Sequence, residues 1–141
     1  ILPPYYDIHA RYIAGLPDTA LGTFRFSTDA DSLALGVLER LVNWRSAVRQ
    51  LPYGDQGLFL RRNTFDELGG FPSMPIMEDY VFVRRARRIG RVRTATAPAI
   101  TSARRWQKRG VLRTTLMNQL VIAGYHCGVD SARLARWYRG R

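Results

Sequence analysis

Hydrophobic and polar residues follow one another along this chain in patterns that predict strands and helices in alternation. The segment TALGTFRFST (19–28) alternates in the manner of a strand, and RVRTATAPAITS (91–102) predicts a second extended segment. Between them, GDQGLFLRR (54–62) opens with a glycine-bounded turn and continues into a short apolar strand. Because helical patterns separate these strands, the sequence predicts an α/β fold, a mixed sheet with flanking helices.

The longest helical pattern in the first half of the chain follows the first strand. Asp31 or Ser32 can cap this helix, and Pro52 ends it. Its expected buried face is given by the apolar positions 34, 37, 38, 41, 44, 48 and 51, which recur at helical spacing.

Shorter helical patterns occupy the rest of the chain. The segment TFDELGGF predicts a compact helix in which Thr64 and Glu67 form a capping box, with a glycine pair as its exit. Three more helices are expected at about 77–89, 104–126 and 131–138.

Two adjacent acids, Glu78 and Asp79, stand where the helix of residues 77–89 begins. Acids in a first turn complement the helix dipole, and this explains Glu78 adequately. On a helical wheel, however, Asp79 falls on the apolar side, together with Phe82, Val83, Ala86 and Ile89. A partly desolvated carboxylate at the edge of a pocket can act as a general base, so both interpretations of Asp79 stay open at this point.

Composition narrows the class of protein. The 141 residues suffice for a single domain with a real core, and 46% hydrophobic residues exclude a disordered chain. The net charge is +11 and Lys108 is the only lysine, so arginine supplies nearly all the positive charge. Arginine forks suit phosphate and carboxylate ligands, although a solvated basic surface is the alternative explanation.

The cysteine, the two histidines and the apolar runs further limit the kinds of site and protein that the sequence allows. Cys127 is the only cysteine, which excludes an intrachain disulfide and predicts a reducing compartment. His9 and His126 have no companions at metal-ligand spacing, and no apolar run approaches the ~20 residues of a membrane span. The start at Ile1, without an initiator methionine or a signal pattern, indicates a piece of a larger gene product.

Three segments together resemble a known family. LPYGDQGLFLRR, FDELGGFPSMPIMEDYVFVRRARRIG and TSARRWQKRGVLRTTLMNQLVIAGY are similar to the C-terminal half of family 2 glycosyltransferases of the GT-A type. The nearest subgroup is the bacterial and plastid-type set labelled selenodomain-associated transferases. The resemblance covers nearly the whole chain, and it implies an inverting sugar transfer from a nucleotide-sugar donor to an acceptor hydroxyl.

The resemblance also implies roles for six residues. Asp79 matches the family's catalytic base, and Glu78 matches its acidic neighbour. Arg105 and Trp106 match a Gln-x-x-Arg-Trp motif that holds the donor diphosphate and stacks on an acceptor sugar, although Ser102 replaces the Gln. The last two residues, which lie in a pocket loop of the family and are expected to contact sugar or acceptor, are Asp55 and Gln56.

The resemblance implies a divalent metal, Mg or Mn, whose ligands lie in an N-terminal nucleotide-binding half that would precede Ile1. No metal ligand is therefore expected in this chain. The DAD sequence at 29–31 imitates an acidic metal motif, but it follows a different strand and is expected to cap the next helix. Without the other half, the chain is also expected to self-associate through uncovered apolar surface.

Two alternatives of other classes remain. The charge of +11 would suit a nucleic-acid-binding module, but aromatic residues are not interleaved with basic ones and no recognition motif occurs, so no specific nucleic acid is expected. The helix RRWQKRGVLRTTLMNQLVIAGY is basic first and apolar later, which would suit a membrane surface or a lipid-linked acceptor. The expected location is cytoplasmic or a plastid-type interior, with a peripheral membrane location as the alternative.

Overall fold

The structure, a computed structural model, describes residues 4–140. It contains three strands, seven α-helices and one turn of 3₁₀-helix within that range. In chain order these are α1 (Pro4–Gly15), β1 (Thr19–Thr28), α2 (Leu33–Arg49), the 3₁₀ turn (Gly54–Gln56), β2 (Leu58–Phe59), α3 (Arg62–Glu67), α4 (Glu78–Ile89), β3 (Arg91–Thr101), α5 (Arg104–Arg109), α6 (Val111–His126) and α7 (Ser131–Arg139).

The strands form one small mixed sheet in the order β2-β1-β3. β1 pairs antiparallel with β2, where Gly22 lies opposite Phe59, and parallel with β3, where Thr19 lies opposite Arg91. The parallel pair requires a crossover, and α2 to α4 lie between β1 and β3 in the chain. The α/β class predicted from the sequence is therefore confirmed, with a small mixed sheet and flanking helices.

β1 is the centre of the core because apolar clusters cover it along its length. Leu21 packs with Phe82 and Val83 of α4, and all three side chains are fully buried. Further along the strand, Phe24 packs edge-to-face on Tyr6 of α1, with 4.9 Å between the ring centroids. Each such side chain contributes about 1.5–3 kcal/mol by leaving water. This packing fixes α4, and hence its N-terminus, against the sheet.

Among the apolar positions of α2 that the pattern predicts to be buried, Leu38 lies in the core, at 8% exposed. Val37, Leu41, Trp44 and Val48 are between 49% and 62% exposed, so most of the predicted buried face is wrong. The inner face is partly polar because its side chains bond the C-terminal end of β1. Asn43 exchanges two hydrogen bonds, of 2.8 and 2.9 Å, with the backbone of Phe26. Glu39 accepts one of 2.6 Å from the backbone N–H of Thr28 and one of 2.7 Å from its hydroxyl.

The exposed apolar face of α2 is the surface through which we expect this chain to self-associate. We expect its weight-average mass in sedimentation to rise with protein concentration, because uncovered apolar surface of this kind recruits partners. The double replacement Leu41→Gln and Trp44→Gln should suppress the rise, whereas Arg40→Gln on the same helix should not. A monomeric chain at all accessible concentrations would contradict the expectation.

Other boundaries agree with the sequence patterns except in two places. β1, α4, β3 and α7 lie within one or two residues of the predicted ranges. α3 begins at Arg62, so Thr64 lies inside the helix and the predicted capping box is wrong. The predicted helix of residues 104–126 is two helices, because Gly110 takes a left-handed φ of 82° between α5 and α6.

Within residues 4–140, no helix combines the length and hydrophobicity that crossing a bilayer requires.

Candidate active site

A cavity of about 310 Å³ opens between the N-terminus of α4, the 3₁₀ turn, α6 and α7. Four of the six residues singled out in the sequence line it: Asp55, Glu78, Asp79 and Arg105. Tyr53, Asn118 and Tyr138 add polar groups, and apolar side chains from α6 complete the wall. A concave site with a few convergent polar groups is typical of a ligand pocket.

Asp79 is held in one orientation at the start of α4. Its Oδ2 accepts a hydrogen bond of 2.6 Å from the backbone N–H of Gly54, and its Oδ1 accepts one of 2.7 Å from the N–H of Tyr80. A Cβ at residue 54 would lie 3.1 Å from Oδ2, so a side chain there would push against the carboxylate. A carboxylate offers about four acceptor positions, so each oxygen keeps capacity for a ligand.

The turn before α4 places the two acids at the cavity. Met77 is buried and has a left-handed φ of 73°, which is uncommon for a residue with a side chain and is often found near functional sites. Its side chain packs with Tyr80, Val121 and Leu134, which holds the backbone in this conformation. Glu78 follows directly and is exposed at the rim of the cavity.

Asp55 lies on the 3₁₀ turn next to Gly54, on the same side of the cavity as Asp79. Its side chain keeps access to solvent at the cavity mouth, yet protein atoms crowd around the carboxylate and exclude much of its water. This desolvation raises the pKa of Asp55 above its ordinary value, and the negative charge of Asp79 raises it further, while Arg45 and Arg105 oppose the rise. The cavity therefore holds carboxylates in unequal environments.

Asp55→Asn is expected to stabilise the fold at neutral pH. Because the folded-state pKa of Asp55 is raised, the protonated carboxyl favours folding below the ordinary aspartate range, and this contribution is lost as pH rises through the folded-state pKa. The melting temperature of the variant should exceed that of the parent near pH 7, and the difference should shrink as pH falls through the folded-state pKa and vanish below about 4.

Thermal unfolding of parent and variant between acid and neutral pH measures this effect, with the exposed Asp31→Asn as the control. A variant less stable than the parent at neutral pH would contradict the assigned desolvation.

Arg45 is a site residue that the sequence pattern did not single out. Its guanidinium carbon lies 3.6 Å from the centroid of the Tyr53 ring, and its Nε donates to the carbonyl of Leu51 at 3.1 Å. In the described part of the chain its buried Nη2 has no hydrogen-bond partner. Burial lowers the pKa of Arg45 and raises that of Tyr53, while the charges of Asp55 and Asp79 favour the guanidinium.

Arg105 stands on the side of the cavity formed by α5 and α7. Its Nη1 donates a hydrogen bond of 2.7 Å to the hydroxyl of Tyr138, which fixes an otherwise exposed side chain. The cavity thus has a carboxylate side, formed by the 3₁₀ turn and α4, and an arginine side formed at Arg105.

Gln56 and Trp106 lie outside the cavity. Gln56 is fully buried: its Nε2 donates to the carbonyl of Phe24 at 3.2 Å, and its Oε1 accepts from the hydroxyl of Ser46 at 2.8 Å. Trp106 packs edge-to-face on Phe26 in the core, with 5.7 Å between the ring centroids. The structure therefore places both residues in packing roles.

The aspartates of the DAD sequence do not cap α2. Oδ1 of Asp29 accepts from the backbone N–H of Ala103 at 2.7 Å, so Asp29 instead supports the entry to α5. α2 begins after Ser32 without a side-chain cap, which corrects the prediction for this segment. In residues 4–140, no group of three or more His, Cys, Asp or Glu side chains is placed to hold a metal ion.

No family model matches the chain, and neither a curated protein nor a solved structure matches it.

Proposed function

We propose that the chain is the acceptor-side part of a glycosyltransferase of the GT-A type, which transfers a sugar from a nucleotide-sugar donor to a hydroxyl. The observation that carries the proposal is the oriented Asp79 carboxylate at a cavity that also contains Arg105. The resemblance of the segments around these residues to family 2 glycosyltransferases supports the same assignment.

In this proposal Asp79 takes the proton from the acceptor hydroxyl. Sugar transfer needs a base within hydrogen-bond reach of that hydroxyl, because the oxygen becomes a competent nucleophile as its proton leaves. The hydrogen bonds from Gly54 and Tyr80 keep the carboxylate from rotating, so the acceptor does not have to organise its base on binding. Glu78, at the rim, is the proposed contact for a second hydroxyl of the acceptor.

The positive side of the cavity stabilises the charge that leaves with the nucleotide. The bond from the sugar carbon to the donor diphosphate breaks as the acceptor oxygen attacks, and the diphosphate gains negative charge. Arg105 is the proposed partner of that charge, since a guanidinium binds phosphate through paired N–H donors. Arg45, beneath Tyr53, offsets the repulsion between the carboxylates.

The divalent metal implied by the resemblance has no fitting site among the described residues. No group of three or more His, Cys, Asp or Glu side chains in residues 4–140 is placed to hold a metal ion. The steps proposed here therefore use only side chains of this chain.

The test is a transfer assay on the full-length protein with a panel of nucleotide sugars and hydroxyl acceptors. Release of nucleoside diphosphate together with a glycosylated product is the expected result. If no donor in a broad panel yields either product while the protein is folded, the proposed function is wrong.

A further inference from the structure

A second cavity, of about 220 Å³, lies beside the first and is lined by four arginines. They come from three different helices: Arg105 and Arg109 from α5, Arg113 from α6 and Arg139 from α7. Arg105 and Tyr138 line both cavities, so the two are neighbours that share a wall. We name this second space the arginine pocket.

The arginine pocket has no counter-charge of its own. The ion pairs found within residues 4–140 join Arg11 to Asp7 and Arg62 to Asp66, so none of its four guanidinium groups is paired with a carboxylate in that range. No acidic side chain lines the pocket. Like charges gathered from three helices repel one another, and an anionic ligand is the partner that would relieve this repulsion.

Two of the arginines are already positioned by neutral groups. Arg105 donates to the Tyr138 hydroxyl at 2.7 Å, and Arg109 donates to the Tyr138 carbonyl at 3.4 Å. A guanidinium has five N–H donors, so each keeps donors for a ligand after these bonds. Preorganised arginine forks match the oxygens of a phosphate group better than a single carboxylate does.

The wall of the arginine pocket also contains a buried polar group that has no hydrogen-bond partner among the described residues. Thr114 is only 5% exposed and lines the arginine pocket, yet its hydroxyl has no hydrogen-bond partner among the described residues. Buried hydroxyls are nearly always paired, and an unpaired one needs an explanation such as a missing ligand or water. Met117 and Trp137 add an apolar surface to the same wall.

We propose that Arg109, Arg113 and Arg139 of the arginine pocket bind a phosphate group of the acceptor, so that the acceptor of the proposed transfer is a phosphorylated molecule. The assignment to the acceptor rests on the proposed function, in which Arg105, on the wall that the two cavities share, is the partner of the donor diphosphate and leaves the other three arginines to the acceptor. The binding of phosphate itself does not depend on that function. A soluble phosphate ester and a phosphate on a lipid headgroup present the same oxygens to the pocket.

The experiment measures binding of pyrophosphate to the whole chain by calorimetry at about 0.15 M salt, where long-range attraction is screened. We expect Arg109→Gln with Arg113→Gln to weaken binding by about 10- to 100-fold, from the loss of charge-assisted hydrogen bonds. Arg87→Gln with Arg88→Gln, on the exposed face of α4, removes the same charge elsewhere and should leave binding nearly unchanged. Equal loss in both double variants, or no binding by the parent, overturns the proposal.

A second arm separates the two sources of phosphate. Vesicles of phosphatidylcholine with phosphatidic acid are sedimented with the chain, with and without excess pyrophosphate. Vesicle binding that pyrophosphate displaces, and that Arg109→Gln with Arg113→Gln abolishes, supports a lipid-borne phosphate. Pyrophosphate binding without vesicle binding supports a soluble phosphate ester, whereas vesicle binding unaffected by both treatments contradicts the pocket.

Different results would contradict the phosphate site in the arginine pocket and the proposed sugar transfer. Asp79→Asn should leave pyrophosphate binding intact while transfer is lost. If transfer survives in that variant, the base assignment fails and the phosphate site stands. If pyrophosphate does not bind and transfer nevertheless depends on Asp79, only the phosphorylated acceptor is wrong.

Discussion

Asp79→Asn is expected to lower sugar transfer by a factor of about 10²–10⁴, the usual contribution of a general base. The amide oxygen of asparagine can still accept the bond from the Gly54 N–H, whereas its amide nitrogen cannot accept the bond from the Tyr80 N–H, so one of the two orienting hydrogen bonds is kept. What is lost is the ability to take a proton from the acceptor. Donor affinity should change little, because the carboxylate side of the cavity faces the acceptor in the proposed arrangement.

The measurement compares transfer rates and donor binding for the parent and the variant in the full-length protein. Asp66→Asn is a suitable control, since Asp66 is an exposed aspartate on α3 that pairs with Arg62 far from any proposed chemistry. Transfer by Asp79→Asn at a near-parental rate would rule out Asp79 as the base.

Gln56→Leu is expected to destabilise the fold by about 2 kcal/mol or more, since each buried polar group left without a partner costs roughly 1–3 kcal/mol. The leucine fills a similar volume but removes the side-chain partner of the Phe24 carbonyl and of the Tyr53 N–H, whereas the Ser46 hydroxyl keeps the Val42 carbonyl as its acceptor. A residue that only contacts substrate would instead weaken substrate binding and leave the free energy of unfolding unchanged.

Urea unfolding followed by circular dichroism gives this free energy. Gln107→Leu, in the exposed part of α5, is the matched control and should shift the free energy of unfolding by less than about 0.5 kcal/mol. A loss below about 1 kcal/mol for Gln56→Leu would mean that the buried network around it is not formed.

Sequence patterns predict β1, α4 and β3 well because their hydrophobic residues are regularly spaced and covered by the core. The pattern fails for α2 because Glu39 and Asn43 bond the end of β1, so the inner face of this helix is partly polar. It also does not predict α1. The pattern misses the break at Gly110 for another reason, because a single glycine within a helical pattern does not reveal whether the backbone leaves the helix there.

The chemistry of the site is only partly readable from the sequence. Asp79 is detectable because an acid on the apolar side of a helix needs an explanation. Gln56 and Trp106 have side chains suited to sugar contacts, and only the tertiary packing shows them in the core. Arg45 could have been singled out from the sequence, since it lies beside the buried Leu38 and the partly buried Val42 on the wheel of α2 once the correct face is chosen.

The bond between the Gly54 N–H and Asp79 joins two segments that are 25 residues apart in the chain. This amide can exchange with solvent deuterium only while the bond is broken, so its exchange rate relative to a free amide measures the fraction of time for which the bond is open. In that open state the Tyr80 N–H is the remaining backbone partner of Asp79. Gly54 thus provides a built-in probe of the candidate base, readable in the absence of any substrate.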